Sequence, residues 1–399
     1  MDNAPNAVTP PPAPRLVSAD AYRGFVMFLL MAEGLHFTAV AKARPDEPLW
    51  AFLGHHQEHA EWYGCTLHDL IQPSFTFLVG LALPFSSAAR KARGQSNTRM
   101  SLHAFWRAFL LVALGIFLRS SRKAQTNFTF EDTLSQIGLG YGVLFLIGLR
   151  PRRDWWIALG VILIGYWLAF ALYSPGPGFD PAAWGVVNWP HNATGFAAHW
   201  NKNANIASAF DHWFLGLFPY SSAYPYNSGG YVTLSFIPTL GTMILGLIAG
   251  GVMHDSTRTG NNKLKTLIVL GVPMILLGAA LGEAGLCPVV KKIWTPSWVL
   301  FSGGLCILLM AGFYLLVDIL GWRRLFFPLI VIGMNSIAAY CMTGQLSGYI
   351  DKNLVIHLGK NAFTFLGPDF AAPLERAVVM LVLWLILFAM YRRRLFIKV

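Results

Sequence analysis

The residues best suited to chemistry lie close together in the segment GHHQEHAEWYGCTLHDLIQPSF, residues 54–75. It holds His55, His56, His59 and His68 with Glu58, Glu61 and Asp69. Histidine both takes and returns a proton near neutral pH, so such a segment can supply a general base or a nucleophile. Asp69 can orient an imidazole, as the third member of a catalytic triad does, and so can Glu33. Histidine and carboxylate ligands also suit zinc, but the spacing fits no metal motif and no second cluster completes one, so no metal is expected.

Other polar residues fall at helical spacing in apolar surroundings. Asp20 and Arg23 are three apart, share a helix face and can pair, either structurally or near an anionic ligand. Glu33 and His36 repeat that spacing. Thr66, Asp69, Pro73, Thr76 and Gly80 form a polar, small-residue stripe expected to line a wet cavity on a helix kinked at Pro73. Ser336, Tyr340, Thr343 and Ser347 share a face beside Asn335, and Glu131, Asp132 and Gln136 open another apolar run. An ionisable group inside a bilayer is costly, which makes each a functional candidate.

The elements that must position these groups are membrane helices. Of 399 residues, 55% are hydrophobic and 12% charged, about half the charge of a soluble domain. The mean hydropathy is +0.50. Continuous apolar runs long enough to cross a bilayer cover approximately 18–40, 66–88, 102–119, 132–149, 155–173, 230–253, 265–284, 297–319, 325–349 and 374–392. The expected fold is an all-α polytopic transmembrane bundle of about ten helices, with no period-2 alternation of a barrel. Residues 1–14 read as a disordered tail, and 15–399 as one transmembrane domain with an outer segment at 174–229.

The net charge of +11 is gathered in short loops, a topology signal rather than a nucleic-acid footprint. Arg90, Lys91, Arg93 and Arg99, then Arg150, Arg152 and Arg153, then Arg258, Lys263 and Lys265, then Arg323 and Arg324, mark the cytoplasmic side and put both termini there. Two groups break the pattern, Arg119 with Arg122 and Lys123, and Lys291 with Lys292. Excess positive charge on the wrong side is either an anion site or tolerated. Cys65 and Cys287 both fall at outer helix ends and read as unpaired thiols in preference to a disulfide.

The strings SADAYRGF and HAEWYGCTLHDLIQPSFTFLVG, followed in order by LSQIGLGY, FIPTLGTMILGLIAG, KKIWTPSWVLFSGGL and FPLIVIGMNSIAAY, cover most of residues 15–350. Together they resemble the heparan-alpha-glucosaminide N-acetyltransferase family, and more closely its bacterial amino-sugar acetyltransferase-like branch. The resemblance implies a bundle that takes acetyl-CoA from the cytoplasm and acetylates a sugar amine on the far side. It implies that His59, three residues before Trp62 of the WxG motif, is essential, with Asp69 of the DLxxP motif and Asn335 of the GMNS motif beside it. On this reading His59 is general base or acyl carrier, Asp69 or Glu33 orients it, and Asn335 faces the thioester oxygen. Asp20, Arg23, Gln136 and Ser336 are the candidates for holding acetyl-CoA. The setting is a bacterial inner membrane, the acceptor a periplasmic amino sugar or glycan, and a homodimer remains open. A sugar or lipid transporter, or a catalytically silent envelope partner, are the competing readings, and no clear inverted repeat supports the first.

Overall fold

A computed structural model describes residues 16–121, 123–219, 226–359 and 361–397. The expected tail over 1–14 and the basic residue Arg122 lie outside that set. The described chain is helical: α1 (Val17–Ala32), α2 (Phe37–Ala43), α3 (Pro48–Gln57), α4 (Ile71–Ala92), α5 (Asn97–Ser120), α6 (Thr133–Gly148), α7 (Arg152–Ala171), α8 (Ile206–Leu215), α9 (Phe236–His254), α10 (Gly260–Glu283), α11 (Pro296–Phe313), α12 (Phe327–Met334), α13 (Ser336–Leu358) and α14 (Ala371–Arg392). Seven helical stretches are long and apolar enough to cross a membrane, and α6 is a shorter apolar helix. Two of the expected spans are broken: α1 and α2 meet at 44°, and α12 and α13 at 84°. The sequence is therefore that of an all-α polytopic membrane bundle.

The centre of the bundle is α9, buried along nearly its whole length from Pro238 to Met253. Lipid tails are as apolar as leucine, so helices in a membrane adhere through close packing, which small residues permit. The closest helix pairs carry glycine at their crossings. A Cβ on Gly80 of α4 would sit 1.8 Å from the Met243 carbonyl oxygen of α9, and one on Gly246 would sit 1.9 Å from that of Phe77. On the α1–α12 pair, a Cβ at Gly333 would lie 1.9 Å from the Asp20 carbonyl oxygen. Gly246→Ala is therefore expected to force α4 and α9 apart and to cost about 1–3 kcal/mol or more. Thermal melting of the purified protein in detergent should show a clear fall relative to Gly344→Ala, where an added Cβ meets no atom within 4 Å.

The segment between α7 and α9 is ordered where described. It forms α8 and a short helix at Gly195–Trp200. Trp200, Ala207 and Val232 share a core with Trp62, Phe170, Cys287 and Ile293. The four cysteines are free thiols. The α2–α3 hairpin is tied to the end of α1 by Gln57, which accepts from the Phe37 N–H at 2.7 Å and donates to the Ala32 carbonyl at 2.6 Å.

Candidate active site

The segment that carries His59 is held by its own carboxylate. Asp69, 1% exposed, sits in a short helical turn at His68–Leu70 just before α4. Its Oδ2 accepts from the backbone N–H of Ala60 at 3.0 Å and of Thr66 at 3.0 Å, closing the 60–66 loop around it. Its Oδ1 lies 2.8 Å from His59 Nδ1. Within the loop, Gly64 has φ +100°, a conformation open to glycine at little cost. Its N–H donates to the Val289 carbonyl at 3.1 Å, and Tyr63 pairs with Val290 in an isolated antiparallel bridge.

That bridge delivers a residue from far along the chain. Thr295 caps α11 through the Trp298 N–H and also bonds the Pro288 carbonyl, fixing the turn that carries Lys291. Lys291 Nζ lies 3.1 Å from Asp69 Oδ1 and 3.0 Å from His59 Nδ1. Burial lowers the hold of the Lys291 ammonium on its proton, and Asp69 works against that effect. The three atoms form a closed triangle with one constraint. A neutral imidazole Nδ1 can donate to Asp69 or accept from Lys291, but not both. When it donates to Asp69, Lys291 serves the same carboxylate oxygen and the Nε2 lone pair is left for chemistry.

His59 lines a cavity of about 530 Å³, within the usual range for a small-molecule site. Its walls come from Leu30 and Glu33 at the end of α1, His68, Ile71 and Gln72 at the start of α4, and Gly115, Leu118 and Arg119 at the end of α5. Glu131, Asp132 and Thr133 before and at α6, Tyr231, Lys291, and Tyr340, Thr343, Gly344 and Gln345 of α13 complete it. The lining is about as apolar as it is polar, and cations and carboxylates face one space. The two breaches of the charge pattern, Arg119 and Lys291, both open onto this cavity.

Of the residues expected at the site, His59, Asp69 and Glu33 converge. Glu33 faces the second histidine rather than the first: its Oε2 is 3.8 Å from His68 Nε2, whose ring centroid is 4.4 Å from that of His59. The others lie elsewhere. Asn335 is at the α12–α13 break, where its amide donates to the Leu395 carbonyl at 2.9 Å and accepts from the Ile397 N–H at 3.1 Å, holding the C-terminal tail. Ser336 begins α13 beside it. Gln136 is buried and donates to the Phe130 and Thr233 carbonyls while accepting from Ser235. Asp20 and Arg23 pair at 3.2 Å at the opposite end of α1 from Glu33. The expected stripe on α4 also divides. Thr66 and Asp69 belong to the site, but Thr76 bonds the Pro73 carbonyl and Gly80 packs on α9. Pro73 falls in the first turn of α4, where a missing N–H costs nothing and no kink is needed to accommodate it; the proline inside the helix is Pro84.

Tyr231, which forms part of the cavity wall, belongs to the strand-like entry to α9, and the segment before that helix is held by a buried acid. Asp211 of α8 accepts from the Thr233 N–H at 2.9 Å, and its other oxygen is buried with no partner among the described residues. Burial pushes its carboxyl up to about 7, against the Thr233 bond. A folded carboxyl that holds its proton more tightly than the unfolded one contributes stability below the unfolded value, and that stability is lost as pH rises through the folded one. Resistance of residues 174–219 to proteolysis is expected to fall between about pH 4 and pH 7. Asp211→Asn should flatten that dependence.

No family model matches the chain. Human heparan-alpha-glucosaminide N-acetyltransferase is 25% identical over 427 aligned positions, covering 97% of this chain and 60% of the human protein. The mouse protein of the same name is 23% identical, covering 97% of this chain and 61% of its own length. The chain thus spans about three fifths of the length of the curated relatives it matches. The family read from the HAEWYGCTLHDL and GMNS motifs is borne out, and across nearly its whole length this chain is a homologue of heparan-alpha-glucosaminide N-acetyltransferase.

Proposed function

We propose that the protein is a transmembrane acetyltransferase that moves the acetyl group of acetyl-CoA, supplied from the cytoplasm, onto the amine of an amino sugar or glycan on the opposite side. The observation that carries this reading is the placement of the His59 ring. It faces a cavity of mixed polar and apolar lining within a membrane bundle, with Nδ1 held by the buried Asp69. That is the arrangement a base needs to keep one nitrogen fixed and the other available. The setting proposed is a bacterial inner membrane, with both termini cytoplasmic.

Acyl transfer to an amine requires loss of the amine proton, attack on the thioester carbonyl and departure of the thiol. His59 Nε2 takes the proton, directly as general base or after carrying the acetyl group itself. Asp69 keeps the proton on Nδ1 and compensates the imidazolium when it forms. The cavity holds a monosaccharide together with the acyl end of the donor, and its carboxylates and hydroxyls offer partners for the sugar. Gln72, Tyr231 and Tyr340 are the groups proposed to position it. The test is purified protein with isotopically labelled acetyl-CoA and glucosamine, read by mass spectrometry. Labelled N-acetylglucosamine supports the reading. Uptake of sugar without an acetylated product supports a transporter instead.

A further inference from the structure

We propose that the acceptor is an amphiphile held in the membrane, which enters the cavity sideways between α5 and α13 and sets an anionic linker against Arg119. The proposal rests on the acetyl-transfer reading and names the substrate class of the same site.

Those two helices form two of the walls of the cavity. Gly115, Leu118 and Arg119 form one wall, and Tyr340, Thr343 and Gly344 stand opposite. Each helix packs mainly elsewhere, α5 on α6 and α13 on α14 and α1. At their near ends the Ser121 hydroxyl donates to the Gln345 amide oxygen at 2.9 Å. Gly344 and Gly348, one turn apart on the same face, are exposed, and a Cβ on either would meet no atom within 4 Å. Away from the cavity the surfaces of both helices are apolar: Phe109 and Phe117 of α5 are 60% and 67% exposed, and Leu346 and Tyr349 of α13 are 37% and 68% exposed. A hydrocarbon chain can lie against such a surface in the bilayer while its head reaches the polar interior.

Charge specifies the linker. Arg119 stands at the cavity edge of α5, and Lys123 is exposed just beyond. Both sit on the side where loop cations are disfavoured. Arg119 has Glu131 3.4 Å away. Burial raises the Glu131 carboxyl, and it takes one of the five N–H donors of the guanidinium, so donors remain for an incoming anion. A phosphodiester between sugar and lipid matches this position, since guanidinium groups bind phosphate oxygens well.

The experiment uses the full chain in lipid nanodiscs with two acceptors that share one head. One is glucosamine 1-phosphate esterified to a farnesyl chain, the other its methyl ester. The anchored acceptor is expected to show a kcat/KM higher by at least about tenfold, as confinement to the membrane raises its effective concentration. Partition alone could give that preference, so a second variant tests the route. Gly348→Trp fills the seam outside the cavity and is expected to lower turnover of the anchored acceptor by about tenfold, with the methyl ester changed by less than about twofold. Equal use of the two acceptors by the wild type, or an equal loss of both in Gly348→Trp, overturns the proposal and leaves acetyl transfer standing. If neither acceptor is acetylated, the acetyl-transfer reading fails and entry is read by itself, with a photoreactive benzoylphenylalanine at position 348 and the farnesyl probe. Labelling of the probe supports lateral entry. No labelling, or crosslinking to a second copy of the chain instead, overturns it.

Discussion

Replacing His59 with Ala is expected to lower acetyl transfer by about 10²–10⁴-fold, the range supplied by a positioned base, in a protein that still folds. The fold survives because the truncation strands no buried charge. Asp69 keeps Lys291 at 3.1 Å on one oxygen, and the N–H groups of Ala60 and Thr66 at 3.0 Å on the other. The side chain removed is 40% exposed to the cavity, so little packing is lost. The decisive measurement is the rate of transfer from labelled acetyl-CoA to glucosamine, made on a preparation whose melting temperature matches that of the wild type. Full activity in that preparation would remove His59 from the chemistry. A covalent acetyl carrier makes a further distinction. In the absence of acceptor, wild-type protein should retain the label through denaturation if His59 is acylated, and the variant should not.

The sequence made the spans legible because a bilayer demands long apolar runs, and those runs have no other solvent to suit them. It also made visible that His59 and Asp69 belong together, since both stand in one short motif. What stayed hidden depends on contacts distant in the chain. Lys291 could be seen as a cation on the wrong side of the membrane. Its pairing with Asp69 could not, because the pairing is made by the bridge from Tyr63 to Val290, between segments with no shared pattern. Asn335, Gln136 and Asp20 are polar residues in costly places, which is the correct ground for suspicion. Yet a buried amide can as well serve stranded backbone groups as a substrate. Gln136 does so for Phe130 and Thr233, and Asn335 does so for the tail. Composition cannot tell these uses apart, because both require the same hydrogen-bonding groups. The 84° break before α13 was hidden for a related reason. The run 325–349 is apolar enough to span, and Asn335, at the bend, is seated against Leu395 and Ile397, a contact made with the other end of the chain.

The pair Asp69 and Lys291 allows charge balance to be separated from catalysis. Lys291→Met leaves a buried carboxylate without its cation, and breaking such a pair is expected to cost about 3–5 kcal/mol of stability. Adding Asp69→Asn removes the stranded charge, so the double variant is expected to be more stable than Lys291→Met alone, with a coupling of about 0.5–3 kcal/mol in a double-mutant cycle. Activity should not return with stability, for a reason set by the donors around position 69. The Ala60 and Thr66 N–H groups both require an acceptor, so the oxygen of the introduced amide turns toward them. Its NH₂ then faces His59 Nδ1, which must accept, and the ring proton is driven to Nε2. The nitrogen that should take the acceptor's proton is thereby occupied, and transfer is expected to fall by about 10³–10⁴-fold, as when a triad carboxylate is replaced by its amide. Chemical denaturation and acetyl transfer measured on the same four proteins provide the check. Recovery of both together in the double variant would mean that Asp69 serves only to balance Lys291. Recovery of stability alone identifies Asp69 as the group that keeps His59 in its working tautomer.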